Sequence, residues 1–277
     1  MTLLKAILLG AVQGFSEFLP ISSSGHLVIF NELLIDQGSS DLLFNVLVHL
    51  GTFLAVIAAF WKDCLRLLLE GFSLVGDVFS GNLKRAKPTA SRNFLYMLIL
   101  SLLPLFLVLP VKEWIEGLFQ NPLFVGCALL VTGAILWCSG RIPEGRTGPA
   151  GTKPKQAMIV GFTQLFAIVP GISRSGSTIT AGLLAGFKRE YAVKYSFLLS
   201  LPTTLAAVLL EVLDVIKDGT IPEHLLPYLV AMLVAAATGY IAIGLTRLLV
   251  QENKFQWFSW YCFVVGAATI VYFGFVR

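Results

Sequence analysis

QGFSEFLPISSSGH, residues 13–26, sets an amide, a carboxylate, four serines and an imidazole in an N-terminus that is otherwise apolar. The apolar run Leu3–Leu19 stops at Pro20, the serine cluster follows, and a short apolar piece, Leu27–Leu34, comes next. Proline cannot continue a helical hydrogen-bond ladder. Helix, break, short helix is therefore the pattern of a re-entrant hairpin, whose broken backbone is tolerated at membrane depth only where protein or a water-filled cavity surrounds it. The pattern recurs downstream. Gln156–Val169 runs into PGISRSGST, residues 170–178, and then into the short apolar piece Ile179–Phe187. A shift of 151 residues aligns Gly10 with Gly161, Gln13 with Gln164, Phe15 with Phe166 and Ile21 with Ile172, and places Ser22, Ser24 and Gly25 on Ser173, Ser175 and Gly176.

The rest of the chain reads as one membrane domain, 1–277. It is 56% hydrophobic, 13% charged and has a mean hydropathy of +0.82, whereas soluble domains are roughly a quarter charged. Six segments approach the ~20 apolar residues of a spanning helix: Leu42–Trp61, Phe94–Pro110, Pro122–Cys138, Tyr195–Leu213, Leu226–Leu249 and Trp257–Phe275. Each hairpin is followed by three of them, and an odd number of spans inverts the second half relative to the first. The expected fold is an all-α polytopic membrane protein: six transmembrane helices plus two re-entrant helical hairpins in an inverted-topology repeat, with halves at 1–140 and 156–277. Basic loops at Asp77–Arg92, Arg141–Lys155 and Lys188–Lys194 are expected to be cytoplasmic, and the acidic-leaning Asn31–Asp41 and Asp214–Glu223 external. Both chain ends then lie outside, with the first hairpin entering from outside and the second from the cytoplasm. Cys64–Val78 is amphipathic and too charged to span, as an interfacial helix would be. Trp114, Trp257, Trp260 and Tyr272 fall where interface anchors sit.

Other classes are disfavoured. The net charge of +4 is small and reports loop orientation rather than nucleic-acid binding. Cys64, Cys127, Cys138 and Cys262 have no paired spacing and read as buried apolar fillers. His26, His49 and His224 lie too far apart for a zinc face. Leu3–Leu19 holds Gln13 and Glu17 and has no cleavage pattern, which argues against a signal peptide.

The chemistry concentrates in the two breaks. Gln13 and Glu17, four apart, share a helix face, and a carboxylate in an apolar hairpin is a functional candidate by default; its structural alternative is bonding to backbone freed at Pro20. Ser22, Ser23, Ser24 and Gly25 offer hydroxyls and N–H groups to an anion at a helix start, or plain helix capping. His26 has the chemistry of a proton shuttle. Arg174 sits between two serines at membrane depth, where a phosphate would satisfy its planar fork; the alternative is an ion pair with Glu17. Gly171, Ser173, Ser175, Gly176 and Thr178 complete the second candidate anion loop. In the alignment Arg174 replaces Ser23 and Ser177 replaces His26, so the halves have diverged. His49, inside the first span, is read as more often a packing residue than a functional one.

These residues resemble a known family. Gln13–Glu17 is similar to the E/Q-x-x-x-E motif of undecaprenyl pyrophosphate phosphatases of the bacitracin-resistance type; residues 170–178 match their PGxSRSxxT motif without departure, and SSSGH at Ser22–His26 matches as well. The resemblance covers the whole chain. It implies a bacterial inner-membrane enzyme that removes the terminal phosphate of a polyprenyl pyrophosphate lipid, recycles the carrier for peptidoglycan and other envelope polymers, and needs a divalent cation, Mg²⁺ or Ca²⁺. Its site is expected to open toward the periplasm, and a homodimer is compatible with it. Carried over, Glu17, Ser23, His26 and Arg174 are the catalytic positions, with Glu17 and Gln13 as metal candidates; Gln13 supplies no second carboxylate. The expected mechanism is attack by Ser23, with His26 accepting its proton, or direct attack by water. The rival class is a lipid-phosphate flippase, since inverted repeats are transporter architecture. A scaffold with a polar core leaves Arg174 unexplained.

Overall fold

The structure, a computed structural model, describes residues 2–34, 42–81, 89–218 and 225–276. Lys84, Arg85, Lys87 and His224, and the expected outer-loop segments 35–41 and 219–223, lie outside the described residues. Among the described residues the chain is helical, with no strand beyond an isolated bridge between Thr147 and Phe187.

The first break is where Pro20 places it. Helix α1 (Leu3–Phe18) ends, and α2 (Ser23–Leu34) begins after four residues. The second pair is α8 (Pro154–Phe166) and α9 (Arg174–Leu184). Both helices of the second pair start 151 residues after their counterparts, the offset of the sequence identities. Between the pairs lie α3 (Leu42–Ala59), α4 (Trp61–Phe79), α5 (Ala90–Leu102) with its tight 3-10 continuation Leu103–Val111, α6 (Lys112–Leu118) and α7 (Pro122–Ser139). After them come α10 (Arg189–Asp218), α11 (Leu226–Gln251) and α12 (Trp257–Val271).

Among the described residues five helical stretches are long and apolar enough to cross a membrane: Ala90–Val111, Pro122–Ser139, Arg189–Lys217, Leu226–Gln251 and Trp257–Val276. The expected span Leu42–Trp61 needs correction. The helix breaks at Phe60, and α4 turns away at 92°, so α3 counts as a sixth crossing only as one arm of a bent pair. The bend has a physical cause. Beyond Phe60 the chain carries Lys62, Asp63, Arg66, Glu70 and Asp77, which do not belong in hydrocarbon. Leu65, Leu68, Leu69, Phe72 and Phe79 remain exposed along α4, the apolar stripe of a helix lying in an interface. Its polar side is fastened to α5. Arg92 donates to Glu70 Oε2 and Asp77 Oδ2, both at 2.8 Å, and to Ser73 Oγ at 2.7 Å. Lys194 on α10 donates to Asp63 at 2.6 Å. The cysteines also depart from expectation: Cys262 is buried, but Cys127 and Cys138 are exposed on α7.

Packing is tightest where glycine removes the side chain. α1 lies on α11, and α8 on α5. A Cβ added at Gly10 would sit 2.5 Å from the backbone oxygen of Ala231, and one at its repeat partner Gly161 would sit 2.6 Å from that of Ser101. Small residues let helices approach this closely in membranes, where lipid removes most of the hydrophobic drive to associate. α1 and α8 are thus seated by the same device.

Gly10→Val should cost about 1–3 kcal/mol by overpacking, because the obstacle is backbone that cannot rotate away. Gly71→Ala, where a Cβ meets nothing within 4 Å, should leave stability unchanged or slightly raised. Thermal unfolding of the two variants in detergent checks this.

Candidate active site

The two breaks meet. Gly25 and Gly171 approach so closely that a Cβ on Gly25 would lie 3.1 Å from the Gly171 Cα, and one on Gly176 would lie 3.1 Å from Pro20. Ser175 Oγ donates to Leu19 O at 3.4 Å. Breaking a helix at Pro20 frees carbonyls, and nearly every one finds a partner, as buried backbone must. Thr246 Oγ1 donates to Phe18 O at 3.0 Å, Cys262 Sγ lies 3.8 Å from Pro20 O, and His26 Nδ1 lies 2.8 Å from Ser22 O. In the second break Thr132 Oγ1 donates to Gly171 O at 2.8 Å and accepts from Ser173 N–H at 3.0 Å. Two residues hold left-handed backbone there, Ser22 at φ 70° and Gly171 at φ 92°. A Cβ at Gly171 would come within 2.7 Å of Val125 O, so that position is closed to any other residue.

Glu17 is the hub. One carboxylate oxygen accepts from Arg174 Nη2. The other accepts from Ser23 Oγ at 2.6 Å and Gln13 Nε2 at 3.1 Å. Arg174 Nη1 donates to Thr203 Oγ1 at 3.0 Å and Thr204 Oγ1 at 3.4 Å, hydroxyls on α10 just after Pro202. The Glu17 side chain is 8% exposed and that of Arg174 26%, so the carboxylate is enclosed while the guanidinium reaches open space. That space is a cavity of about 420 Å³. Glu17, Ser22, Ser23, Ser24, Ser173 and Arg174 line it, together with Gln164 and His49, and an apolar wall comes from Leu105, Val108, Phe119 and Leu210 among others.

The remaining expected site residues stand behind this lining. The N–H of Gly25 is taken by Ser22 Oγ at 3.3 Å and that of Gly176 by Ser173 Oγ at 3.1 Å. These N–H groups, read as part of an anion cradle, are instead taken by the Ser22 and Ser173 hydroxyls, which cap α2 and α9. Thr178 Oγ1 bonds Arg174 O at 2.8 Å and Ser196 Oγ at 2.6 Å, holding the backbone of the arginine. Ser175 ties the two breaks together, and Gly171 shapes the turn. Gln13 is fully buried and lies outside the lining. Its amide orientation is set by donation to Glu17, which leaves Oε1 without a hydrogen-bond partner. The structure thus places Gln13, expected as a metal candidate, off the cavity wall and against Glu17.

His26 is the largest correction. It is 4% exposed and does not line the cavity. Its Nδ1 is held on Ser22 O, its Nε2 is 2.7 Å from Tyr261 Oη, and the two rings stack at 5.6 Å. With both nitrogens engaged it does not face the Ser23 hydroxyl; it fixes the turn that presents the serine. Tyr261 was absent from the sequence reading because it lies 235 residues from His26. Thr203, Thr204, Gln164 and Glu211 were also missed as site residues. For Glu211 a signal existed, because an ionisable residue inside an apolar span is unusual.

The family model described as Bacitracin resistance protein BacA matches residues 6–268. Among curated relatives, an undecaprenyl-diphosphatase of Methanosphaera stadtmanae is 40% identical over 97% of this chain and 97% of its own. Relatives of the same name from Alkaliphilus metalliredigens and Korarchaeum cryptofilum are 35% identical over 98% of this chain and 39% identical over 98%, each covered to 99% of its own length.

Removing one member of a buried ion pair strands the other. Glu17→Ala should destabilise the fold by about 3 kcal/mol, the low end of the usual cost because Arg174 reaches the cavity. The double variant Glu17→Ala/Arg174→Ala should lose less than the two single losses combined. Thermal unfolding in detergent across this cycle measures the coupling.

Proposed function

The chain belongs to the bacitracin resistance protein BacA family, and we propose that it hydrolyses undecaprenyl pyrophosphate to undecaprenyl phosphate and inorganic phosphate. The observation that carries this reading is the Ser23 hydroxyl donating to Glu17 at 2.6 Å, with Arg174 on the opposite oxygen, in a cavity whose other wall is apolar. An arginine alone would serve to bind an anion. A serine hydrogen-bonded to a carboxylate beside that arginine is the arrangement of an activated nucleophile. The apolar wall suits a prenyl chain.

On this reading the pyrophosphate draws Arg174 onto its oxygens, where the planar fork stabilises charge developing at phosphorus. Ser23 Oγ attacks the terminal phosphorus and its proton passes to Glu17. The bond to the bridging oxygen breaks, and undecaprenyl phosphate leaves. Glu17 takes the role expected of His26, which acts instead by holding Ser22. The N-termini of α2 and α9 flank the site and favour an anion there.

A divalent cation, Mg²⁺ or Ca²⁺, fits the residues. Glu17 is the carboxylate among the described lining residues, and Mg²⁺ is commonly held by one or two carboxylates with substrate phosphates. When bound, such an ion supplies charge neutralisation at the pyrophosphate. Among the described residues no group of three acidic, histidine or cysteine side chains forms an all-protein cage.

The shared offset of α1 with α8 and α2 with α9 supports an inverted repeat of two re-entrant hairpins, with the site near the midplane where they meet. The setting is then a multi-pass plasma-membrane enzyme with its cavity open to the periplasm, which recycles the carrier lipid for envelope polymers and gives bacitracin resistance. The same architecture favours a second reading, a flippase for lipid phosphates.

Purified protein in detergent should release phosphate from a C15 or C55 prenyl pyrophosphate, and EDTA should abolish the release. Arg174→Ala should lower kcat/KM by about 10²–10³-fold, as loss of a charge-stabilising donor does. Ser23→Ala should be inactive, with an acid-stable phosphoserine trapped only in the unsubstituted chain. Detergent removes sidedness, so a folded, lipid-binding sample that releases no phosphate would select the flippase.

A further inference from the structure

One ionisable pair in the cavity has no part in the attack by Ser23. His49 on α3 lines the cavity, and its Nδ1 lies 3.6 Å from Oε2 of Glu211 on α10. Each side chain is 27% exposed, yet the two facing atoms are buried and neither has a hydrogen-bond partner. A carboxylate and an imidazole left facing each other at this separation inside a membrane protein are costly, and ionisable groups at such depth are retained for function. Nδ1 is buried against Glu211, which leaves Nε2 as the nitrogen available to the cavity that the residue lines. Base on the open side and orienting carboxylate behind is the arrangement by which a histidine accepts protons in hydrolases.

Hydrolysis through a phosphoserine needs two bases. Glu17 is occupied in the first step and leaves it holding the Ser23 proton. His26 has both nitrogens committed. The second step needs a base that faces the cavity and is free. We propose that His49, oriented by Glu211, takes the proton of the water that attacks phosphorus. The water oxygen forms a bond to phosphorus, the bond from phosphorus to Ser23 Oγ breaks, and Glu17 returns its proton to the serine. One water proton goes to His49 Nε2, inorganic phosphate leaves, and His49 then passes the proton to solvent. The charged groups that face His49 are Glu211 from α10, Glu17 from α1 and Arg174 from α9. Arg247 of α11 lies instead over Phe60 and pairs with Glu190. This inference rests on the phosphatase reading and adds the proton acceptor of its water step.

The test uses the full chain in detergent with Mg²⁺ and farnesyl pyrophosphate. His49→Ala should lower kcat by about 10²–10⁴-fold, the usual loss for a general base, and KM should fall with it, leaving kcat/KM little changed. The acid limb of the kcat–pH profile should disappear, and added imidazole should restore turnover. Phosphoserine should accumulate in the variant, because its formation is intact and its hydrolysis is not. Glu211→Gln should lower kcat less, with no gain from imidazole. Normal turnover and an unchanged pH profile in His49→Ala would overturn the proposal. So would a slow variant that keeps the acid limb and ignores imidazole, since that marks a residue needed only for packing. If the unsubstituted chain itself releases no phosphate, the phosphatase reading fails first and this inference falls with it.

Discussion

The ion pair between Glu17 and Arg174 links two stretches 157 residues apart. Desolvating both charges is expensive, and a buried pair is tolerated only when the remaining lone pairs and protons are also satisfied. Here they are. Gln13 and Ser23 complete the carboxylate, and Thr203 and Thr204 hold the other guanidinium nitrogen. Those partners come from α1, α2 and α10 and Arg174 itself from α9, so the pair can exist only where four helices and two breaks converge. Gly10 and Gly161 seat α1 and α8 by letting them touch the backbones of α11 and α5.

The breaks carry a second constraint, the freed backbone. Side chains from outside the first loop cap two of its carbonyls, Thr246 at Phe18 and Cys262 at Pro20, and Thr132 does the same for Gly171. His26 belongs to this set. Its bond to Ser22 O and its stack on Tyr261 pin a serine at positive φ, a conformation that costs a non-glycine residue free energy. The next residue is Ser23, whose hydroxyl must point at Glu17. A histidine that looks like a proton shuttle in the sequence instead holds the turn that leads into Ser23.

Much of this was legible in the sequence. Pro20 and the pair Pro170-Gly171 located both breaks, since proline and glycine act locally. The 151-residue offset of identities anticipated where α8 and α9 start. The spacing of Gln13 and Glu17 gave a shared helix face, and Arg174 stood out because nothing apolar could satisfy it. What stayed hidden depends on which faces meet. Spacing could not show that Gln13 would lie off the cavity wall and against Glu17, or that Tyr261 would take the second nitrogen of His26. The right-angle bend at Phe60 was hidden because the charges from Lys62 onward mark where the span ends but not the direction the chain then takes. His49 and Glu211 were separately visible as ionisable residues in spans, but their pairing is a product of α3 packing on α10.

Without ligand the site is balanced, because Arg174 already has its carboxylate. A pyrophosphate must compete for the guanidinium, and that competition couples binding to chemistry on the proposed reading. Every hydrogen bond Arg174 gives to phosphate is one it withdraws from Glu17. The Ser23 hydroxyl then holds a larger share of the carboxylate at the moment the phosphorus arrives. Thr203 and Thr204 keep the guanidinium near both acceptors during the exchange, so the move is short. An uncharged headgroup analogue that did not draw Arg174 away would leave Glu17 shared among three donors and Ser23 less activated. Selectivity for a highly charged headgroup thus follows from the resting ion pair itself, while the apolar wall selects the lipid that carries it.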